Sequence, residues 1–413
     1  MSGELVGEEG APSESSLRAD VTLEPEVRFD TRRATRPANC VLLTGATGFL
    51  GANLVHDLLL HSDLEICCVV RADGIEAARA RLQLSLSEQQ LWRPEFAERL
   101  TIVPGDLAAP RFGLREAEFD NLAERCDAVL HNGAHVNFYY PYSALRASNV
   151  LGTAGAVRFA ARAGGIPIHY VSTIAVFSSH SYARVDLIEE WLKVEQIEGM
   201  KGGYVASKWV GEGLVQLAAE RGAPVALYRP GVILGHSRTG ICQRMDRLSM
   251  LLRAAARLQS VPWIDGGLFV TPVDYVSRVI VEAVKCDAHE ARAYHLVAGE
   301  LLPWSEVVEM LLQAGVVRSH IPYGDWLSQL RRHVHAHPRS DLVPLSRILS
   351  DEPPMIRNNH RRFACERARQ LLACTPELAH WHDMRRNMRR YVAALSEQQT
   401  DARASRPNEG MRV

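Results

Sequence analysis

The chain has 413 residues, of which 47% are hydrophobic and 23% charged, with a formal net charge of -1. That length holds one large α/β domain or two domains sharing a core, and the composition is ordinary for a globular protein. The charge balance excludes a global field for nucleic acid or membrane surfaces, and there is no run of 18 apolar residues to span a bilayer.

Residues 1–36 are polar, acidic at first and then arginine-rich, without a period. They predict a disordered or loosely docked leader. They carry no basic n-region followed by an apolar h-region, so no secretory signal is read there. The eight cysteines show no C-x-x-C pair and no metal spacing, so a reducing cytoplasm is expected and a metal is not. From Cys40 the character changes. CVLLTG is a short apolar run ending in glycine, as a buried parallel strand would be. FLGANLVHDLLLH follows with a helical apolar face, then LEICCVVR as a second strand. RLTIVPGDL and DAVLHNGA read as further strands, and ASNVLGTAGAVRFAARAG as a helix. PIHYVSTIAVF is a strand, YVASKWVGEGLVQLAAERG a helix, and PVALYRPGVILG a strand.

Strands alternating with helices imply a parallel sheet covered on both faces. With right-handed crossovers this is an α/β, Rossmann-type doubly wound fold. Beyond Gly235, Arg244–Gln259 reads as an amphipathic helix, FVTPVDYVSRVIVEAVKC as a short segment entering a helix, and AYHLVAGE as a late strand. The expected organisation is a leader over 1–36, a dinucleotide-binding domain over 37–300 with 236–264 contributing to the substrate site, a smaller, mostly helical substrate and docking domain over 301–396, and a disordered tail over 397–413.

The first strand runs into T-G-A-T-G-F-L-G, with Gly45, Gly48 and Gly51 at G-x-x-G-x-x-G spacing. Gly45 permits a tight turn, Gly48 lets backbone approach a pyrophosphate, and Gly51 lets the helix pack on the strand. The helix N-terminus turns free N–H groups and a positive dipole end toward phosphates. Thr47, Phe49 and Leu50 complete this cofactor-binding loop. The bland alternative is a glycine turn without a ligand, but its place between strand and helix favours the cofactor. The second strand ends at Arg71, which suits a ribose 2′-phosphate and so NADPH; Asp73, two residues on, keeps NADH open. Asp106 with Leu107, and Asn132, Gly133 and Ala134, fall at the next two strand ends. They either line the adenosine or are plain strand-end turns.

Lysine is rare here: 4 of 47 basic residues. One of them, Lys208, stands four residues after Tyr204 in YVASK. On a helix the two share a face. An ammonium near a phenol lowers the phenol's pKa, making Tyr204 a proton donor near neutrality. The strand before this helix ends V-S-T, where a hydroxyl of Ser172 or Thr173 is placed to donate to an oxyanion. Ser207 and Glu212 read as structural. The alternating His333, His335 and His337 could hold a metal, but nothing else in the sequence pairs with them, so no metal site is expected.

Together TGATGFLG, VST, YVASK and RPG resemble the extended short-chain dehydrogenase/reductase superfamily. VLLTGATGFLGANLV, LHNGAHVNFYYPYSALRASNVLGT, YRPGVILGHSRTG, TPVDYVSR and YHLVAGELLPWSEVVEML are similar to the thioester reductase domains that end nonribosomal peptide and polyketide assembly lines, and to the matching domain of carboxylic acid reductases. LEPEVRF looks like the lead-in to such domains. The likeness covers about residues 20–395. It implies a catalytic set of Thr173, Tyr204 and Lys208, a cofactor contact at Asn149, and a nicotinamide-side loop at Pro230, Gly231 and Val232. It also implies NADPH, and a carrier protein presenting a phosphopantetheine thioester. Arginines at 331, 332, 385, 386, 389 and 390 are candidate docking groups for that carrier, with solvated helix faces as the alternative. Such reductases usually close a very long protein, so an enzyme acting in trans or an excised piece is expected. A fatty acyl-CoA reductase, a sugar epimerase and a non-catalytic NADP-sensing regulator are the other readings.

Overall fold

The computed structural model describes residues 12–30, 37–243, 246–286, 292–297, 301–350, 362–373 and 383–404, with side chains described to 395. The chain divides into two compact units, one of residues 1–231, 276–296 and 361–376, the other of 232–275, 297–360 and 377–413.

The first unit is built on a seven-stranded sheet. Its strands are β1 (Cys40–Thr44), β2 (Glu65–Val70), β3 (Leu100–Pro104), β4 (Ala128–His131), β5 (Ile168–Val171), β6 (Val225–Pro230) and β7 (Arg292–Leu296). Their order is 3-2-1-4-5-6-7, and every pairing is parallel. The apolar runs follow from this, because a parallel sheet is covered on both faces: all five residues of β1 and all six of β6 are buried. The flanking helices include α1 (Glu14–Asp20), α2 (Phe49–His61), α3 (Ile75–Glu88), α4 (Glu116–Arg125), α5 (Gly152–Arg162) and α6 (Gly203–Glu220). Strand order reverses between β1 and β4. A crevice therefore opens at their carboxyl ends, the edge where such sheets take ligands.

Of the leader expected to be disordered or loosely docked, residues 12–30 are docked. Leu17, Leu23 and Val27 are buried. Asp20 accepts from Arg146 and from the Tyr142 hydroxyl at 2.6 Å each, and Arg221 donates to the carbonyls of Leu23, Glu24 and Val27. Three scattered apolar anchors and backbone carbonyls leave no period in the sequence, which is why this docking was not legible there. Residues 1–11 and 31–36 lie outside the described residues.

Three thiols that no spacing rule groups meet at the opposite, amino end of the sheet. Cys40 Sγ lies 3.5 Å from Cys67 Sγ and 4.0 Å from Cys126 Sγ. The parallel register pairs Cys40 with Glu65 and Leu42 with Cys67, so Cys40 and Cys67 are diagonal neighbours rather than a facing pair.

The second unit is mostly helical, with helices Arg247–Leu258, Trp304–Gln313, Tyr323–Ala336, Val343–Ile348 and Met384–Ala404. Short strand pairs join 232–234 to 270–272, 260–263 to 319–322, and 267–268 to 302–303. Trp304 and Trp326 are fully buried and donate to the carbonyls of Pro262 and Ser260 at 2.8 Å each. The last helix runs to Ala404, past the start of the tail expected at 397, because no breaker occurs before Pro407. Residues 362–373, placed by sequence in the C-terminal domain, belong to the first unit, where Arg362 and Phe363 pair with Leu187 and Ile188. No helix among the described residues is long and apolar enough to cross a membrane.

Candidate active site

The glycine loop closes the carboxyl end of β1. Gly45 has φ +72°, and a Cβ there would fall 2.6 Å from Gly133 Cα. A Cβ on Gly51 would fall 2.0 Å from the Gly45 carbonyl oxygen, so only glycine lets α2 start this close to the strand. Gly48 is different: a Cβ there would meet only the Gly45 oxygen, at 3.4 Å, and the residue is exposed. Gly48 caps α2 with no side-chain bond, and the first turn, with Phe49 and Leu50, carries no acid. The result is an open cradle of backbone N–H groups at a helix N-terminus, which fits a dinucleotide phosphate. Thr47 lies beside it and accepts on its carbonyl from Ser85 Oγ at 2.9 Å.

Around this cradle the other strand-end residues gather. Asn132 Nδ2 donates to the Gly45 carbonyl at 3.2 Å, and Gly133 N donates to Thr44 Oγ1 at 3.0 Å. Ala134 is half-buried, and Leu107 packs where any side chain on Gly133 would sit. Asp106 accepts from Ala108 N at 3.0 Å in a local turn. Arg71 is exposed at the end of β2, and Arg81 donates to its carbonyl at 2.6 Å.

The residues expected to handle protons stand after β5 and on α6. α6 follows its N-cap Gly202, with φ +94°, and buries Val205, Trp209, Val210, Leu214 and Val215. This sets Tyr204 and Lys208 one turn apart. Thr173 follows β5 in extended backbone and accepts from Ala175 N at 3.2 Å. Lys208 is buried; its Nζ donates to the Val171 carbonyl at 2.6 Å and lies 4.2 Å from the centre of the Tyr170 ring. Burial pushes the Lys208 ammonium down to about 7 and the Tyr204 phenol up to about 12. The expected lowering of the Tyr204 phenol by Lys208 is therefore absent here, because the ammonium is engaged by β5 and is itself only partly charged at neutrality.

Asn149 sits in a π-helical turn over 147–151 that leads into α5. Its Oδ1 accepts from His135 N at 2.7 Å and from Ser148 Oγ at 3.1 Å, while Nδ2 donates to the His135 carbonyl at 3.1 Å and Ser207 Oγ at 2.9 Å. Two donors and two acceptor sites are the full capacity of an amide. Asn149 thus ties His135 to Ser207 on α6. His131 and Thr153, which the sequence did not single out, extend this chain. Thr153 Oγ1 donates to the Asn149 carbonyl at 2.6 Å, which leaves it to accept from His131 Nε2 at 3.1 Å. His131 Nδ1 then accepts from Thr44 Oγ1 at 2.8 Å. Burial, and secondarily Lys208, hold His131 down to about 3, so it is neutral.

Pro230 ends β6 opposite Leu296, and Gly231 N donates to the Leu296 carbonyl at 3.4 Å. Val232 belongs to the second unit, where its N–H is taken by the Phe269 carbonyl at 2.8 Å. A surface concavity of about 530 Å³ beside Tyr182 and Trp191 contains none of the expected site residues.

Residues 43–280, more than half of the chain, match the profile of the NAD-binding family described as male sterility protein. The chain belongs to that family. As a male sterility protein family member it takes a nicotinamide dinucleotide and is an oxidoreductase domain. The solved terminal R domain of the myxalamid PKS-NRPS biosynthetic pathway is similar to it with a TM-score of 0.84 at 34% identity, covering 94% of this chain and 98% of that one. A linear gramicidin synthase polypeptide of Brevibacillus parabrevis is 36% identical over 81% of this chain, and aldehyde reductase lnbA of Aspergillus flavus is 36% identical over 76%. The family member spans only 7% of the first of these proteins and 32% of the second.

Proposed function

We propose that this domain reduces an acyl or peptidyl thioester, presented on the phosphopantetheine arm of a carrier protein, to an aldehyde with NADPH. The observation that carries the reading is the placing of the glycine cradle, the Thr173 strand end and the Tyr204–Lys208 helix in one unit with the carboxyl edge of a single sheet. When bound, NADPH supplies hydride to the thioester carbonyl carbon. Gly45, Thr47, Gly48, Phe49, Leu50 and Gly51 hold its phosphates. Arg71, a guanidinium at the strand end, supports the 2′-phosphate form over NADH. The hydroxyl of Thr173 donates a hydrogen bond to the carbonyl oxygen as it gains charge, and Tyr204 delivers the proton. Loss of the thiol from that tetrahedral adduct leaves an aldehyde. A second reduction of the same kind gives an alcohol.

The similarity to a solved terminal R domain along 98% of that chain supports a carrier-bound substrate. A reducing, cytoplasmic setting is part of the proposal, since it keeps Cys40, Cys67 and Cys126 as thiols. Mass spectrometry of products from the same acyl group on a carrier protein and on coenzyme A, each with NADPH, tests the reading. Aldehyde or alcohol from the carrier-bound form is expected. Product only from the coenzyme A form makes the domain an acyl-CoA reductase, and no product from either makes it a nucleotide-binding regulator.

A further inference from the structure

Beneath the Tyr204–Lys208 helix lies a fully buried ion pair that the proposed chemistry does not use. Glu212 and Arg229 are 0% and 1% exposed, with Arg229 Nη2 and Nε donating to Glu212 Oε1 at 2.6 and 3.0 Å. The second carboxylate oxygen, Oε2, accepts from Ser172 Oγ at 2.5 Å. Ser172 is further fixed by its N–H, which donates to the Tyr228 carbonyl at 2.6 Å. Arg229 itself is immobilised by the carbonyls of Glu190 and Leu192 and by His295. His295 is held down to about 3 by burial and by Arg229, so neutral Nε2 accepts from Arg229 Nη1 at 3.2 Å while Nδ1 donates to the Ala364 carbonyl at 3.0 Å. Such a pair is costly to bury and adds little stability over an apolar replacement. Its placement joins three separate stretches, the VST strand end, the helix that opens with YVASK, and RPG.

We propose that Glu212 is a positioning residue of this site: clamped by Arg229, it anchors Ser172 and so the adjoining Thr173, and it sets a fixed negative charge one helical turn from Lys208. The inference rests on the reading of Thr173, Tyr204 and Lys208 as the reducing set. Successive residues of extended backbone point to opposite sides, so holding Ser172 toward Glu212 turns Thr173 away from it, toward the open edge. The charge has a second effect. Lys208 Nζ is buried, and the groups that act on it are the Val171 carbonyl and Tyr170 ring of β5, neutral His131 on β4 and Glu212 on α6, whose ion-pair partner is Arg229 on β6. Glu212 is the one carboxylate among them, and it favours the ammonium against burial.

The rarity of lysine makes the test direct. With 13Cε-lysine labelling the whole chain gives four lysine signals, from Lys193, Lys201, Lys208 and Lys285. The Lys208 signal should titrate near neutrality in the native protein. In Glu212→Gln, which keeps shape and a hydrogen bond to Ser172, its midpoint should fall by about one pH unit or more. Ser172→Ala should leave that midpoint in place yet lower kcat about tenfold with KM for NADPH unchanged. An unmoved Lys208 midpoint in Glu212→Gln, in a protein whose thermal melt shows it folded, overturns the proposal. If Glu212→Gln does not fold, Glu212→Asp gives the same reading: the charge is kept, so the midpoint must hold while kcat falls, and a midpoint that moves as far as after charge removal overturns it. A native protein that shows the Lys208 shift but reduces no thioester refutes the proposed reaction, while the charge effect of Glu212 on Lys208 stands.

Discussion

Lys208 Nζ donates to the carbonyl oxygen of Val171 at 2.6 Å, so the one lysine of α6 is bonded to the strand that leads into Thr173. This bond fixes the spacing of α6 over β5 by a charged donor rather than by packing alone, and it leaves a buried ammonium in a site where burial disfavours it. Burying this ammonium costs stability, and pH reads the cost.

The unfolded chain keeps the Lys208 proton up to its ordinary value of 10.5, whereas the folded chain releases it at about 7. Between these values the unfolded state binds more protons, so raising pH stabilises the fold, and below about 7 the penalty is constant. The native protein should gain about 2 kcal/mol from Lys208 between pH 7 and 9. Lys208→Met should lose that gain. Denaturant melts of both proteins across this range check it; parallel curves would show that Lys208 titrates elsewhere.

Tyr204→Phe keeps the ring that packs edge-on to Phe138, with centroids 5.2 Å apart, and removes only the hydroxyl. The expected outcome is a loss of about a hundredfold or more in NADPH-dependent reduction with NADPH affinity unchanged. Steady-state rates and a fluorescence titration of NADPH separate the two. Undiminished turnover would remove Tyr204 from the mechanism.

Two glycines of one loop should fail in different ways. Gly51→Ala places a Cβ 2.0 Å from the Gly45 carbonyl and should destabilise the fold by about 3 kcal/mol or more. Gly48→Ala meets only an ordinary contact at 3.4 Å, so its melting temperature should stay near native while NADPH binds about tenfold more weakly. Thermal melts and binding titrations on both variants decide the point; equal melting temperatures would contradict the crowding at Gly51.

Arg71 is exposed at the end of β2. Replacing it with alanine should weaken NADPH binding about tenfold, worth about 1.4 kcal/mol, and leave NADH affinity nearly unchanged. Competition between the two nucleotides measures the ratio. A ratio that does not change would shift 2′-phosphate recognition to another group, with Arg81 the nearest candidate.

The sequence by itself determined the elements that are written in consecutive residues. The apolar runs of β1 and β6, the glycine spacing before α2 and the i, i+4 pair of α6 each need only local periodicity, so the doubly wound fold could be read directly and the candidate site residues could be named. Tertiary structure decided which polar groups are already taken. Asn149 sits at a position the resemblance assigns to the cofactor, and the fold bonds its amide to His135 and Ser207. Lys208 reads as a partner of Tyr204, yet the fold turns its ammonium to Val171. Glu212 reads as an ordinary helix residue, yet it meets an arginine 17 positions away and a serine 40 positions away. Cys40, Cys67 and Cys126 show no spacing, yet parallel register gathers their sulfurs. Local pattern sets where a side chain sits on its own helix or strand. The partner a buried polar group satisfies is set by how distant strands register, and that information appears only when the sheet is assembled.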